Sequence, residues 1–401
     1  MSAVKCVKLA VVGGRRGAAF DKALESLRDR VKLTAICDPS EEVLTRWKDN
    51  YPDIEAFVSY DDLLESGDCT AVFIATPMEL HAWQAIQALQ SGKHVLSEVI
   101  AATTLDECWQ LVEAVENTGL AYMLAENYCY MRPNMMVLNM VQQGVFGEIT
   151  YAEGAYIHDC RDLIFSGEGE MTWRGEIRLH YNGNTYPTHS LGPVAQWLGV
   201  NRKGGDHLVS TATWMSPARA VSSYVRDRFG FDHPAARDDF WVLGDSATTI
   251  VQTEKGVVIV LRMDSNSPRP HNMAHYALQG THAAYLSARH AQEDPLIWIH
   301  GHSPGHSPGD AEWESLWEYS HQYEHPGWRE WGEQARRAGH GGGDFLVLKD
   351  FLDAIQTGTN PPIDVYDAVT WSSIMPLSIQ SVAQGNVPLA IPDFARGRAT
   401  S

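Results

Sequence analysis

The chain has 401 residues, of which 44% are hydrophobic and 20% are charged. That length exceeds one ordinary domain core, so two domains are expected. The formal net charge of −19 argues against nucleic acid or an anionic membrane as the main partner. It does not exclude an anionic cofactor, because backbone amides at a helix N-terminus bind phosphate whatever the overall charge.

Cysteine usage and hydropathy indicate a cytoplasmic protein. The six cysteines form no Cys-x-x-Cys pair, so we expect buried free thiols, as in a reducing compartment. The first residues lack the apolar segment of a signal peptide, and no apolar run approaches the ~20 residues of a transmembrane helix. The histidines scattered between 271 and 306 lack helical spacing to a carboxylate, so no metal site is expected.

The first third of the chain alternates short apolar runs with amphipathic stretches. The apolar runs predict five strands, at Val7–Val12, Val31–Cys37, 71–75, 94–96 and 121–124. Helical patterns at 79–91 and Leu105–Thr118 each end at a glycine, a common left-handed helix terminator. Strands buried on both faces and separated by helices predict a doubly wound parallel sheet, that is, a Rossmann domain. We place this domain at residues 1–128.

The hydrophobic period changes after about residue 147. Alternating patterns predict half-buried strands at 147–158, Leu208–Met215, 248–253, 257–263 and 273–279, with a hairpin turn at 254–256. Helical patterns follow at 345–356 and 365–383. Residues 129–401 are therefore predicted to form an α+β domain with an open, mainly antiparallel sheet. The stretch 292–343, rich in Gly, His, Pro and Trp, is predicted to be a long loop or lid.

A glycine-rich turn lies between the first strand and the following helix, and it consists of Gly13, Gly14, Arg15, Arg16 and Gly17. Gly14 and Gly17 match the second and third glycines of a dinucleotide fingerprint, whereas Val12 stands at the first. Asp38 follows the second strand, where a carboxylate binds the ribose diol and repels a 2′-phosphate. This favours NAD over NADP, although either arginine can pair with a 2′-phosphate. The alternative is a turn that only joins strand to helix.

Several segments resemble the Gfo/Idh/MocA family, which pairs a Rossmann domain with a C-terminal domain built on an open antiparallel sheet. They are Ala75-Thr76-Pro77, His81 and residues 92–98. Typical dehydrogenases of that family carry Glu-Lys-Pro after the fourth strand, and the lysine is catalytic. Here the residues are Glu98, Val99 and Ile100, so the usual proton carrier is missing.

One branch of the family also lacks that lysine, namely the NAD-dependent glycosidases of glycoside hydrolase family 109, known for α-N-acetylgalactosaminidase activity. The sequence is similar to that branch over residues 124–130, 137–141, 146–149, 153–159, 173–174 and 186–193. It departs from the branch at Val12, where a glycine is usual, and at Ile100, where a proline is usual.

The resemblance implies a redox route for glycoside cleavage. NAD takes a hydride from sugar C3, a base removes the acidified C2 proton, the aglycone leaves, water adds and the hydride returns. We assign His189 to the C3 hydroxyl and Tyr156 to the C2 proton, with Tyr186 able to exchange with either. A tyrosine acts as a base only when a cation or donor lowers its pKa well below ~10, and Arg174 is the candidate cation or sugar ligand.

The remaining implied residues surround the cofactor. Besides the glycine turn and Asp38, the predicted NAD contacts are Thr76, Pro77, His81, Glu98, Glu126, Asn127 and His158. The expected partner is a small-molecule sugar or glycoside, and a homodimer or homotetramer is implied through the open sheet face.

Two other functions stay open from the sequence. A sugar dehydrogenase would release a 3-keto product, and a non-catalytic protein would only sense NAD or sugar. The missing lysine favours a glycosidase over a dehydrogenase, and the joint presence of Tyr156, Tyr186 and His189 argues against a sensor. Each residue also has a structural alternative: Tyr156 as sheet packing, Thr188 or His189 as a helix cap, and Arg174 as a surface ion pair. Asp159 and Asp162 are expected to be structural.

Overall fold

The computed structural model describes residues 6–270, 274–305, 307 and 309–397. The N-terminal sheet has six parallel strands, β1 (Val7–Val12), β2 (Val31–Cys37), β3 (Glu55–Phe57), β4 (Ala71–Ile74), β5 (His94–Ser97) and β6 (Tyr122–Leu124). Their order across the sheet is β3-β2-β1-β4-β5-β6, the doubly wound order of dinucleotide-binding domains. The predicted Rossmann sheet is confirmed. The short edge strand β3 was not predicted, because it has only three residues and two of them are exposed.

Helices join these strands and follow the sequence signals closely. They span Gly14–Gly17, Asp21–Ser26, Glu41–Asn50, Tyr60–Ser66, His81–Gln90 and Leu105–Thr118. The last of them begins with a capping box between Thr104 and Glu107 and ends at Gly119, whose φ is 65°. Capping at both ends explains why this helix was predicted to the residue.

The C-terminal sheet has nine strands, β7 (Ile149–Ile157), β8 (Leu208–Met215), β9 (Ser246–Thr253), β10 (Val258–Asp264), β11 (Ala274–Gly280), β12 (Ala283–Leu286), β13 (Leu296–Ile299), β14 (Glu314–Ser315) and β15 (Leu389–Ala390). Their order is β14-β13-β12-β11-β7-β10-β9-β8-β15. Only the central pair, β7 with β10, is parallel. The prediction of a mainly antiparallel sheet is confirmed. Met273, which began one predicted strand, lies outside the described residues.

The C-terminal helices span Arg132–Gln142, Trp173–His180, Thr188–Trp197, Ala220–Phe229, Ser320–Tyr323, Pro326–Arg337, Gly343–Thr357, Val365–Ser372 and Ile374–Ala383. The single helix predicted at 365–383 is therefore two helices, separated at Ser373. Pro376 explains the break, since it has no N–H to donate to the carbonyl of Ser372.

The stretch 292–343 is not the long loop that the sequence predicted. It contributes β13, β14 and the helix Pro326–Arg337, with Ile297 and Trp328 buried in the main core. Its frequent Gly, Pro and His residues hide the period of these short elements. Within the described part of 271–306, and elsewhere among the described residues, no three His, Cys, Asp or Glu side chains converge as metal ligands. His271 and His306 lie outside the described residues.

The two sheets share one continuous hydrophobic core because the last helices return to the N-terminal domain. The helix Gly343–Thr357 packs on β1. The Leu124 amide donates to the carbonyl of Ile363 at 3.2 Å, and the Ala101 amide donates to Ser372 Oγ at 3.0 Å. No helix in the described ranges has the length and apolarity needed to cross a membrane.

Four of the six thiols, those of Cys37, Cys108, Cys129 and Cys160, are buried, whereas Cys6 is exposed and Cys69 is half-buried. The expectation of buried free thiols therefore holds for four positions only.

Candidate active site

A cavity lies where the two sheets meet, beside the carboxyl ends of β6 and β7. The N-terminal part supplies Arg16, Asn127 and Tyr128 to its lining. The C-terminal part supplies, among others, Tyr156, His158, Cys160, Arg174, Arg178, Tyr186, His189 and His340. The cavity thus brings together all three residues predicted to be catalytic, and within the described chain no Asp or Glu side chain lines it.

The three predicted catalytic rings form a tight cluster. The ring of Tyr156 lies 5.1 Å from that of His189 and 5.3 Å from that of Tyr186, measured between centroids. The rings of Tyr186 and His189 are 5.0 Å apart. One sugar ring placed against this cluster can therefore contact all three side chains.

A close approach between strand and helix sets this geometry. Tyr156 is near the end of β7, and His189 is in the first turn of the helix Thr188–Trp197. A Cβ atom at Gly154 would lie 1.9 Å from the carbonyl oxygen of Ser190, so only glycine lets the helix pack this closely on β7. No side chain caps this helix, which leaves the capping alternative for Thr188 and His189 without support.

A buried carboxylate orients His189. Its Nδ1 lies 2.7 Å from Glu126 Oε1, and Glu126 has no exposed surface. An ionised carboxylate only accepts hydrogen bonds, so Nδ1 is the nitrogen that donates to Glu126, and Nε2 is the ring nitrogen left to exchange a proton with a substrate. Glu126 Oε2 is buried without a hydrogen-bond partner among the described residues. The arrangement matches a base held by a third group, as in catalytic triads.

The tyrosines do not meet the condition set for a base. Burial is the main cause that raises the pKa of Tyr156 well above its ordinary value, and burial also raises the pKa of Tyr186. Arg16 and Arg174 oppose the shift at Tyr186 without reversing it. Both phenols are therefore protonated in the resting protein and are suited to donating a proton. This opposes the prediction that Tyr156 removes the C2 proton with Arg174 as the activating cation.

The sequence analysis missed a second histidine–carboxylate pair that borders the same cavity. His340 Nδ1 lies 2.7 Å from Asp344 Oδ2, and Asp344 is fully buried. Asp344 Oδ1 accepts a hydrogen bond from Asn127 Nδ2 at 2.9 Å. The signal was present as a histidine four residues before an aspartate in a run of glycines at 339–344. His340 itself has a φ of 46°, a left-handed backbone conformation that non-glycine residues rarely adopt.

The glycine turn is shaped for close contact with a cofactor. Gly13 has a φ of 93°, and a Cβ there would lie 2.5 Å from the carbonyl oxygen of Ala75. Asp38 Oδ2 accepts a hydrogen bond from the Gly14 amide at 2.8 Å, and its Oδ1 accepts one from the Ser40 amide. Asp38 thus braces the turn, and each oxygen retains a lone pair for a ribose hydroxyl.

The two arginines of the turn differ in placement. Arg16 Nη2 lies 2.6 Å from Glu98 Oε1, so these two predicted cofactor residues form an ion pair at the cavity. Arg15 is exposed and lines a separate surface depression with Asp21 and Glu42. The Arg16 guanidinium is therefore already paired with a carboxylate, whereas Arg15 faces solvent.

Of the remaining predicted cofactor residues, one lines the cavity and the others lie in or hold the loops beside it. His81 is buried, and its ring nitrogens lie 2.8 Å from the carbonyl oxygens of Ile100 and Thr76. It therefore holds two loops together and offers no free polar atom to a cofactor, which corrects the predicted direct contact. Thr76 Oγ1 donates to Gln84, and Pro77 is half-buried beside it. His158 is half-buried with its ring edge-on to Tyr156 at 5.8 Å.

Two buried oxygen atoms near His189 are suited to accept hydrogen bonds from a nicotinamide carboxamide. They are Glu126 Oε2 and Asn127 Oδ1, and neither has a hydrogen-bond partner in the described ranges. Unsatisfied buried acceptors are rare in native proteins and call for a donor. A carboxamide NH₂ supplies such a donor, so these residues suit the group that the glycine turn implies.

The charged residues Asp159, Asp162 and Arg174 differ in whether they make purely structural contacts. Asp159 pairs with Arg161 at 2.8 Å and Asp162 accepts a hydrogen bond from the Tyr224 hydroxyl at 3.0 Å, so both make the structural contacts expected of them. Arg174 instead lies over the Trp173 ring at 4.3 Å and forms no ion pair with any described residue.

Comparisons with known proteins identify the fold of the chain. Residues 7–126 match the family described as "Oxidoreductase family, NAD-binding Rossmann fold" of the Gfo/Idh/MocA proteins. Among solved structures, levoglucosan dehydrogenase in complex with NADH superposes with a TM-score of 0.76 at 18% identity, covering 97% of this chain and 100% of that one. Its complex with NADH and L-sorbose gives a TM-score of 0.77 over the same shares. The chain is therefore an NAD-binding enzyme with the fold of sugar oxidoreductases.

The family follows from the rest of the chain. Residues 130–401 match "Glycosyl hydrolase 109, C-terminal domain". A family 109 protein of Stenotrophomonas maltophilia is 37% identical over 98% of this chain and 89% of its own length. One from Solibacter usitatus is 36% identical over the same shares. The chain belongs to glycosyl hydrolase family 109, and the predicted resemblance is confirmed.

Proposed function

We propose that the protein is an NAD-dependent glycosidase that oxidises sugar C3 transiently, eliminates the aglycone, adds water and re-reduces C3. One observation carries this proposal: two histidines, each held by a buried carboxylate, border the cavity, while no acidic side chain among the described residues lines it. Ordinary glycosidases need two carboxyl groups flanking the scissile bond. This cavity instead offers neutral bases and phenolic donors.

The first proton transfer is assigned to His189. When bound, NAD accepts a hydride from the sugar and later returns it. Nε2 of His189 takes the proton from the C3 hydroxyl, and Glu126 stabilises the imidazolium that forms. Gly13, Gly14, Asp38 and Asn127 are the residues proposed to hold the cofactor.

The elimination needs one base and one acid. The C2–H and C1–O bonds break, a C1=C2 double bond forms, and the departing oxygen gains a proton. We assign the C2 proton to His340, whose Nδ1 is fixed by Asp344, and the proton donated to the leaving oxygen to Tyr156, whose pKa is raised by burial. Water addition uses the same groups in reverse. Tyr186 and Arg174 are proposed to bind sugar hydroxyls.

A sugar dehydrogenase is the second candidate. The solved neighbours whose titles name levoglucosan dehydrogenase have this fold, and the oxidation step would be shared. Against it stands Val99, which occupies the position of the catalytic lysine in typical dehydrogenases of the fold.

A panel of α- and β-4-nitrophenyl glycosides, assayed with and without added NAD, tests the proposal. The release of nitrophenol and the formation of NADH are followed together in each reaction. The NADH absorbance is corrected for the contribution of nitrophenol. Release without net NADH supports the glycosidase. NADH formed in proportion to sugar, without nitrophenol, would replace it with the dehydrogenase, and neither signal with NAD bound would indicate a sensor.

A further inference from the structure

Two arginines on one helix line the cavity, and neither has an acidic partner among the residues that the structure describes. Arg174 and Arg178 lie four residues apart on the helix Trp173–His180, so they share one face. Both line the cavity, and no Asp or Glu side chain lines it within the described chain. The helix Trp173–His180 thus presents two positive charges to the cavity, in a protein whose formal net charge is −19.

Neutral acceptors alone hold the Arg178 guanidinium. Its Nε donates to Asn266 Oδ1 at 2.8 Å, and its Nη2 donates to Ser265 Oγ at 3.1 Å. Nη1 donates to the carbonyl of Arg174, and Nη2 also reaches the carbonyl of Ser265. These bonds use four of the five N–H donors of an arginine. The fifth, on Nη1, has no partner among the described residues, although Arg178 is only 3% exposed.

The charge of Arg178 is unusual for this protein. Other arginines with limited exposure face a carboxylate: Arg16 pairs with Glu98, Arg30 with Asp353 and Arg202 with Asp367. Burial lowers the pKa of Arg178 to about 10, and the neighbouring charge of Arg174 adds to this. A buried charge without a counter-ion is costly, and a neighbouring like charge adds to the cost. An anion bound at these two arginines offsets both penalties.

The position of Arg178 indicates that its ligand is part of the substrate and not a phosphate of the cofactor. Arg178 is fixed by Ser265, directly after β10, and lies close to the thiol of Cys160 and the phenol of Tyr156. The glycine turn has its own arginines in Arg15 and Arg16. We infer that Arg174 and Arg178 bind an anionic substituent of the sugar, a carboxylate or a sulfate ester, so that the preferred substrates are acidic glycosides. The inference rests on the proposed function only in that a sugar occupies this cavity.

Matched substrates test the inference on the NAD-loaded enzyme. The panel contains 4-nitrophenyl glucuronide and galacturonide, the corresponding neutral uronamides and hexosides, and the hexoside 6-sulfates. We expect kcat/KM for a charged member to exceed that of its uronamide by about 100-fold, because the charge-assisted hydrogen bonds from Arg174 and from the free N–H of Arg178 are weakened in the neutral analogue. A higher value for the sulfate than for the uronate identifies the sulfate ester as the ligand.

Variants then test whether the two arginines cause the preference for charged substrates. Arg178→Gln is expected to reduce the ratio of uronate to uronamide to within about threefold of one, while NAD affinity is unchanged. The control Arg237→Gln removes an exposed guanidinium paired with Asp239 and should leave the ratio intact. If Arg178→Gln does not fold, the ratio of uronate to uronamide is instead compared between Arg174→Gln and the wild-type enzyme. A wild-type enzyme that cleaves neutral glycosides as well as charged ones overturns the inference.

Calorimetry with methyl glycosides separates this inference from the proposed function. Tight binding of a methyl uronate or methyl glycoside 6-sulfate that depends on Arg178, without aglycone release from any aryl substrate, would refute the glycosidase and retain the anion site. Efficient cleavage of neutral glycosides would do the reverse. Failure of every anionic sugar to bind the NAD-loaded protein also overturns the inference.

Discussion

Replacement of Glu126 by glutamine tests the dyad at the centre of the proposed chemistry. The side chain keeps its shape and its hydrogen bond to His189 Nδ1, now 2.7 Å from the carboxylate oxygen, but it loses its charge. Two unit charges about 4 Å apart attract by about 4 kcal/mol at an effective dielectric constant of ~20. That attraction stabilises the imidazolium only after proton transfer, so it contributes to the transition state and not to substrate binding.

We expect kcat to fall by about 10²–10³-fold, and NAD affinity should weaken as well, because an NH₂ group replaces the Oε2 that is suited to accept from the carboxamide. The lower end allows for the hydrogen bond that glutamine retains, and each tenfold corresponds to about 1.4 kcal/mol. Single-turnover hydride transfer, measured from the nicotinamide absorbance, reports the step directly. Thermal stability should be unchanged or higher, because the variant removes a buried carboxylate whose Oε2 lacks a partner among the described residues.

Glu324→Gln is the matched control, since Glu324 is a mostly buried carboxylate paired with Arg132 and lies outside the cavity lining. It should lower stability and leave hydride transfer near the wild-type rate. Hydride transfer in Glu126→Gln within threefold of wild type would refute the role of the dyad.

Three further changes test other parts of the site. Tyr156→Phe should slow cleavage of alkyl glycosides far more than that of nitrophenyl glycosides, because only poor leaving groups need its proton; equal slowing of both classes contradicts a donor role. His340→Gln should slow the exchange of C2 deuterium with solvent by at least about 10²-fold, as followed by NMR. Tyr156→Phe should retain this exchange, and the opposite pattern would restore Tyr156 as the C2 base. Gly13→Ala should cost about 1–3 kcal/mol of stability through its positive φ and also weaken NAD binding, because its Cβ meets the Ala75 carbonyl. The control Gly92→Ala, with φ 78° and no atom within 4 Å of the added carbon, should lose stability without affecting the NAD titration.

The sequence predicted the parts of the fold that local physics determines. Strands β1 and β2 are mostly apolar, and the helix Leu105–Thr118 is capped at both ends, so hydrophobic pattern and capping were sufficient. The break at Ser373 follows from Pro376, which the sequence analysis did not use. The elements within 292–343 were missed because β13 and β14 are very short and their burial depends on distant partners.

The candidate site shows the same division. Tyr156, Tyr186 and His189 were found through motif resemblance, and the structure clusters their rings. His340 was missed because its position depends on Asp344 and Asn127, and Asn127 is 217 residues from Asp344 in the chain. The raised pKa values of the phenols could not be predicted either, since they arise from burial by several elements that only the fold brings together. Arg178 was missed because a charged residue on an amphipathic helix normally faces solvent.

The return of the helix Gly343–Thr357 to β1 has a consequence for synthesis on the ribosome. The Rossmann sheet is complete in sequence at Leu124, yet part of its apolar surface, at β1, is covered by a helix translated near the end of the chain. We expect that part to remain uncovered during translation, where it is a target for chaperones and for aggregation. A fragment that stops after the nucleotide-binding half should therefore be poorly behaved on its own, and exchange of that half between relatives should succeed only when the late helix is exchanged with it.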